Sequence, residues 1–253
     1  MILSNLNHKG GVGKTTNTIH IASAMAEKGL KVLLIDCDNQ CDLTFGVGVS
    51  EPPYTIVDFL KGSHKKAHKN FELIGISENL HILAGSPEFQ AGEFKRMDLA
   101  KALQNPIYKL TERYDYIFID VPPAGINPQV VTSAELALCC ADYFIVPIEP
   151  EMLSIKNLNG FLAKAVGLKQ YNPNLKFGGF YFCKVLSNMT FFKDYYTMMN
   201  EEYSNSLFQT YIRRDVEVIN AIANQMTIFE YNDKCRAAED YRTLTDEILQ
   251  RIK

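Results

Sequence analysis

Lys9-Gly10-Gly11-Val12-Gly13-Lys14-Thr15-Thr16 places two lysines around one glycine turn. A phosphate-binding loop of the form G-x-x-x-x-G-K-[ST] needs only one: backbone N–H groups surround phosphate oxygens, the lysine reaches the β- and γ-phosphates, and the hydroxyl holds Mg²⁺. Gly13, Lys14 and Thr15 supply the second half of that pattern, while His8 stands where the first glycine would fall. The loop is therefore deviant, and its peculiarity is the extra cation at Lys9. A side chain at the start of such a loop cannot easily fold back onto phosphates already wrapped by backbone. It is better placed to reach outward, toward a nucleotide held by a second subunit.

Outward from the loop, short apolar runs alternate with longer amphipathic stretches. That is the pattern of an α/β fold with a mostly parallel, twisted sheet flanked by helices. Ile2 to Leu6 reads as the first strand, and Lys14 to about Lys28 as a helix with Ile19, Ala22, Ser23 and Ala26 on one face, stopped by Gly29. Val32–Ile35, Leu80–Leu83, Tyr116–Ile119, Tyr143–Val146 and Phe177–Phe182 are further strand candidates. Pro122-Pro123 and the pair Pro147 and Pro150 are expected to stop strands. With no repeat, low-complexity tract or linker, residues 1–253 read as a single domain. A helix-turn-helix extension ahead of the loop is not expected.

Composition narrows the class. The chain has 253 residues, 47% hydrophobic and 22% charged, with net charge −3, which is ordinary for a globular protein. No apolar run approaches the ~20 residues of a membrane span, and the start lacks the basic and cleavage regions of a signal peptide, so a cytoplasmic protein is expected. Six cysteines form no CxxC pair and read as reduced structural thiols. His64 and His68 have helical metal-ligand spacing, but Lys61, Lys65, Lys66 and Lys69 around them would repel a cation.

In parallel sheets chemistry collects at the carboxyl ends of strands. Three candidate strands end usefully there: the first at the loop, the second at Asp36, and Tyr116–Ile119 at Asp120. An apolar strand ending in a carboxylate is the form of a Walker B element, whose task is to hold Mg²⁺ beside the loop hydroxyl, here Thr15. Asp36-Cys37-Asp38-Asn39-Gln40 puts two carboxylates just beyond another strand. One can serve the metal while the next addresses the attacking water, or Asp38 and Asp42 can simply cap a turn or helix.

Taken together, residues 9–16, 36–40, Asp120-Val121-Pro122-Pro123 and the tail resemble the ParA partition family of deviant Walker A (SIMIBI-type) P-loop ATPases. The tail residues that carry the likeness are Ile212 to Val216, Ala221, Tyr231 and Ala237 to Tyr241. The resemblance implies ATP and Mg²⁺ as cofactors, with Lys9, Gly10, Gly11, Val12, Gly13, Lys14, Thr15 and Thr16 around the phosphates. Lys9 matches the lysine that contacts phosphates across a homodimer, and Lys14 matches the cis lysine. Asp38 matches the residue orienting the hydrolytic water, and Thr15, Asp36 and Asp120 match the metal shell. Glu151 falls where the family reaches the partner's nucleotide, and Lys184, Arg213 and Arg214 fall near the adenine. His8 replaces a common Gln, Asn39 a Pro, and Arg213 a Pro.

A family member of this kind is a weak ATPase that dimerises on ATP, coats DNA without sequence preference on the nucleoid, and is released when a ParB-like partner stimulates hydrolysis. Lys184 and Arg214 are the residues expected at the DNA, and Asn188 falls near a position where some members carry a DNA-contacting arginine. Between residues 151 and 200, Lys156, Lys164, Lys169, Lys176, Lys184 and Lys193 outnumber Glu151 and Asp194. Alternatives are a ParA-like positioner of a protein cargo and a membrane-cycling ATPase like MinD. In the latter case a terminal amphipathic helix would lie on a bilayer, whereas Ile248, Leu249 and Ile252 here suit packing onto the core. A metallocluster reductase is disfavoured, because Pro122-Pro123 occupy the region of an expected cluster cysteine.

Overall fold

The computed structural model describes residues 1–62, 73–95, 107–123, 125–127 and 129–252, and of residues 152–157 the backbone only. His64 and His68, with Lys65, Lys66 and Lys69, lie outside the described residues, as does the side chain of Lys156.

Seven strands form one sheet among the described residues: β1 Ile2–Asn5, β2 Val32–Asp36, β3 Ile74–Ser77, β4 Leu80–Leu83, β5 Tyr116–Asp120, β6 Tyr143–Ile148 and β7 Lys176–Phe182. Their spatial order is β3-β4-β2-β5-β1-β6-β7, and every pairing is parallel except β3 with β4. Helices α1 Lys14–Glu27, α2 Asp42–Gly46, α3 Ile56–Gly62, α4 Ser133–Cys140, α5 Met152–Gly167, α6 Thr190–Tyr203, α7 Val216–Ala223, α8 Ile228–Asn232 and α9 Arg236–Arg251 accompany it.

The continuous apolar runs follow from burial on both faces of the sheet. Leu33, Ile35, Ile117 and Ile119 enter one core, while Val32, Leu34 and Phe118 enter the other. The second core includes Ile19, Ala22, Ala26, Tyr241, Leu244, Ile248 and Ile252, so α1 is packed against α9 as well as the sheet. Ile248 and Ile252 are fully buried there. Among the described residues no helix is long and apolar enough to cross a membrane. Gly29, at φ 81°, ends α1, its N–H bonding to Ala26 O while Leu30 N–H bonds to Met25 O, a glycine-terminated helix end.

Two local expectations change. Pro147 lies inside β6, in register with Tyr181 of β7. The β1 side of β6 is paired only through Ile145, so beyond it proline's missing N–H breaks no ladder bond. The Pro147 carbonyl is used instead, accepting from Asn7 Nδ2 at 2.8 Å. Strand β3 was not expected, because Ile74-Gly75-Ile76-Ser77 is a short, half-exposed edge segment.

Candidate nucleotide and metal site

β1 lies between β5 and β6 in the interior of the sheet, and its carboxyl end opens into the glycine loop. Gly11 (φ 72°) and Gly13 (φ 90°) adopt left-handed backbone that side chains with a Cβ resist. The turn delivers Lys14 to the first position of α1, where Asn17 N–H bonds back to Gly13 O at 2.8 Å. Contacts from outside tie the loop: Asn7 Oδ1 accepts from Lys9 N–H at 2.9 Å, Asn5 Nδ2 donates to Lys14 O at 3.2 Å, and Cys183 Sγ donates to Val12 O at 3.2 Å. His8 stacks on Phe161, centroids 6.2 Å apart.

The two lysines occupy different environments. Lys14 is 5% exposed, and its Nζ donates to the Lys9 carbonyl at 3.4 Å. Burial lowers its pKa, partly offset by the charges of Asp120 and Asp38. The Lys9 side chain is 39% exposed, with Nζ 2.8 Å from Glu151 Oε2 and 3.7 Å from Glu149 Oε2. The Glu151 hydrogen bond raises its pKa and lowers that of Glu151. Lys184 Nζ also reaches Glu149 Oε1, at 2.9 Å, and donates to the Gly11 carbonyl. Two cations and two carboxylates thus line the outer rim of the loop.

On the inner side, β2 and β5 bring Asp36 and Asp120 into register. Thr15 Oγ1 donates to Asp120 Oδ2 at 2.8 Å, and Thr18 Oγ1 to Oδ1 at 3.4 Å. Asp36 Oδ2 accepts from Thr44 N–H (2.9 Å) and Oγ1 (2.6 Å), and its Oδ1 from Asp38 N–H (3.0 Å). Burial, reinforced by Asp36, pushes Asp120 up to about 8; burial also pushes Asp36 up to about 6, despite its hydrogen bonds. Asp38 accepts from Gln40 N–H at 2.9 Å, so it does shape the turn before α2. It is also buried near Lys14, and burial raises its pKa. The turn role and a role at the phosphates are compatible.

Hydroxyl and carboxylate oxygens at Thr15 and Asp120, with Asp36 beside them, are the hard donors Mg²⁺ accepts alongside substrate phosphates and water. The residues fit the metal. Gly85 closes the back of this pocket: a Cβ there would stand 2.8 Å from Asp36 Oδ2 and 3.1 Å from Cys41 Sγ. Gly85→Ala is expected to displace Asp36 and to lower stability by about 1–3 kcal/mol, read by urea unfolding of the ligand-free protein.

A cavity of about 550 Å³ extends from the loop on the other side, lined by Thr16, Cys183, Lys184, Arg214, Val218 and Ile222 among others. The expected adenine residues converge here, with one qualification. Arg213 also lines the cavity, but its guanidinium is bound to Asp240, Nη2 to Oδ1 at 2.6 Å and Nε to Oδ2 at 2.9 Å, and to Glu239 at 3.2 Å. It anchors the 212–215 segment to α9. Arg214 and Lys184 are both exposed, and Lys184 Nζ is turned onto the loop rim.

Sequence reading missed Glu149, Thr44 and Asn7. Glu149 had a local signal, since Glu149-Pro150-Glu151 repeats an acid two residues apart. Thr44 had none, because its bond to Asp36 spans a turn and the start of α2.

A family model, AAA_31, described as an AAA domain, matches residues 1–177. A ParA family protein of Chlamydia pneumoniae is 28% identical over 95% of this chain and 94% of its own. The chromosome-partitioning ATPase Soj of Thermus thermophilus is 26% identical over 98% of this chain and 94% of its own. Among solved structures, cobyrinic acid a,c-diamide synthase from Mycobacterium smegmatis with bound ADP and magnesium superposes with a TM-score of 0.79 at 26% identity, covering 98% of this chain and 94% of that one.

Proposed function

Because the chain belongs to the AAA_31 family and is an ATPase of the ParA/MinD superfamily using ATP and Mg²⁺, we propose that it is a dimerising ATPase of DNA segregation. In this reading it assembles on ATP, binds DNA without sequence preference on the nucleoid, and is released when a ParB-like partner accelerates hydrolysis. The observation that carries it is the division between the two lysines: Lys14 inside the loop, and the Lys9 side chain on the rim against Glu151 and Glu149.

Phosphoryl transfer calls for positioning and charge neutralisation. Loop N–H groups and Lys14 would hold the β- and γ-phosphates, and Asp38 would orient the attacking water. Mg²⁺, held by Thr15 and Asp120 with Asp36, would neutralise charge on the phosphate oxygens. Lys9 of each protomer would reach the other's ATP, making assembly conditional on the γ-phosphate. Support for the partition role comes from the likeness to Soj, with Lys184 and Arg214 as the candidate DNA contacts.

The test is mass in solution with ATP and Mg²⁺, with and without duplex DNA. ATP should double the mass, and the dimer should bind unrelated duplexes alike, losing about tenfold or more in affinity between 50 and 200 mM salt. A monomer under these conditions removes the switch, and absence of DNA binding by an ATP dimer removes the segregation role in favour of a protein cargo.

A further inference from the structure

The chain between β7 and α6, with the first turn of α6, leaves three large apolar side chains in solvent. Leu186, Met189 and Phe191 are 43%, 48% and 46% exposed, and all three line one pocket of about 190 Å³. Scattered exposed apolar residues are ordinary, whereas a cluster around a concavity marks a surface that is covered in use. The cluster is also held in place. Phe191 stacks on Tyr195 with centroids 5.6 Å apart and rings 12° from parallel, and the Tyr195 hydroxyl donates to Glu151 O at 3.1 Å. Beneath it Phe192 is buried against Phe182 and Tyr211, a filled core with no room for the outer side chains. An aromatic anchor fixed before contact loses little freedom on binding.

The rest of the pocket wall tells what covers it. Glu149, Glu151 and Lys184 line it, and these are the groups that with Lys9 make up the loop rim. Glu149 and Lys184 border the 550 Å³ cavity as well, so the apolar cluster is continuous with the face across which Lys9 would reach. Residues 185–192 contain no lysine or arginine, which argues against nucleic acid as the occupant. The charges beside the cluster are two cations and two carboxylates, a set that complements a copy of itself. A two-fold interface sets one patch against the same patch and requires such self-complementarity. We propose that Leu186, Met189 and Phe191 form the apolar part of the pairing face, covered by a second copy of this chain. The proposal rests on the ATP-dimer reading and adds the protein surface that holds the dimer while Lys9 makes it conditional on nucleotide.

Mass in solution with ATP and Mg²⁺, over a dilution series, measures the strength of pairing. Phe191→Asp and Leu186→Asp should each weaken it about tenfold or more, and Phe191→Ala, which adds no charge, about fivefold. None of the three side chains lines the 550 Å³ cavity, so ATP binding, titrated at protein concentrations too low for wild-type pairing, should stay within about twofold. Val166→Asp, at another exposed apolar site near the C-terminal end of α5, should pair like the wild-type protein. Pairing of Phe191→Ala and Leu186→Asp within about twofold of wild type overturns the proposal and leaves the patch to a different protein. Equal weakening by Val166→Asp overturns it too, as does a loss of ATP binding in proportion to the loss of pairing. A wild-type protein that stays monomeric with ATP overturns the proposal together with the reading beneath it.

Discussion

Lys9→Ala is expected to bind ATP within a few-fold of the wild-type protein and to hydrolyse it on the order of 10³-fold more slowly, the scale of a cation supplied in trans to phosphoryl transfer. Binding should survive because, among the described residues, the Lys9 side chain is bonded to carboxylates of the rim rather than to a group that would hold phosphate. Its Nζ contacts are Glu151 and Glu149, and its backbone N–H, which bonds to Asn7, is retained in alanine. Folding should survive as well, since ion pairs this exposed are worth about 0–1 kcal/mol. Nucleotide titration followed by single-turnover hydrolysis separates the two steps. Normal turnover would mean that Lys9 never leaves Glu151 for a neighbour's triphosphate. A lost affinity equal to the lost rate would mean that it acts within its own loop.

The weakness of that ion pair bears on the switch. In the ligand-free chain the loop rim is neutral, with Lys9 and Lys184 set against Glu149 and Glu151. A protomer whose outward cation is already matched presents little charge to a second copy. A triphosphate brought up by a partner offers Lys9 several negative oxygens in place of one exposed carboxylate. In the proposed dimer, such an exchange would make pairing depend on the nucleotide rather than on the protein surfaces alone.

The sequence revealed those parts of the site in which cause and effect are neighbours in the chain. An apolar run ending in Asp36 or Asp120 is a buried strand delivering a carboxylate to the sheet edge, and two glycines before Lys14 are a left-handed turn before a helix. The rest depends on partners far apart. Lys9 meets Glu151 across 142 positions, and Arg213 meets Asp240 across 27, so no window of sequence shows that the first is held in cis or that the second is an anchor. Pro147 misled for a related reason: proline removes one N–H, and whether that N–H is needed depends on how far β1 extends. Strand β3 escaped because a half-exposed edge strand lacks the apolar run that marked the others.

Asp120→Asn should flatten the pH dependence of stability. In the ligand-free protein Asp120 sits at about 8 against 3.8 for the unfolded chain. A carboxyl raised on folding contributes stability that is fully present below the unfolded pKa and lost as pH rises through the folded one. The wild-type protein therefore loses stability between pH 4 and pH 8 through this group, by up to about 1.4 kcal/mol per pH unit. Asparagine cannot ionise and still offers Thr15 a carbonyl acceptor, so ligand-free Asp120→Asn should melt higher than the wild-type protein above pH 7. His20, buried neutral with its pKa lowered to about 3, contributes stability that is lost as pH falls below 6.5. That contribution is common to both proteins and cancels in the comparison. With ATP and Mg²⁺ the order should reverse, because a metal needs the carboxylate and its binding compensates for ionisation. Melting curves from pH 5 to 9, with and without ligand, measure both halves. Parallel ligand-free curves would show that Asp120 is already ionised without the metal, so that metal binding at neutral pH would release no proton from it.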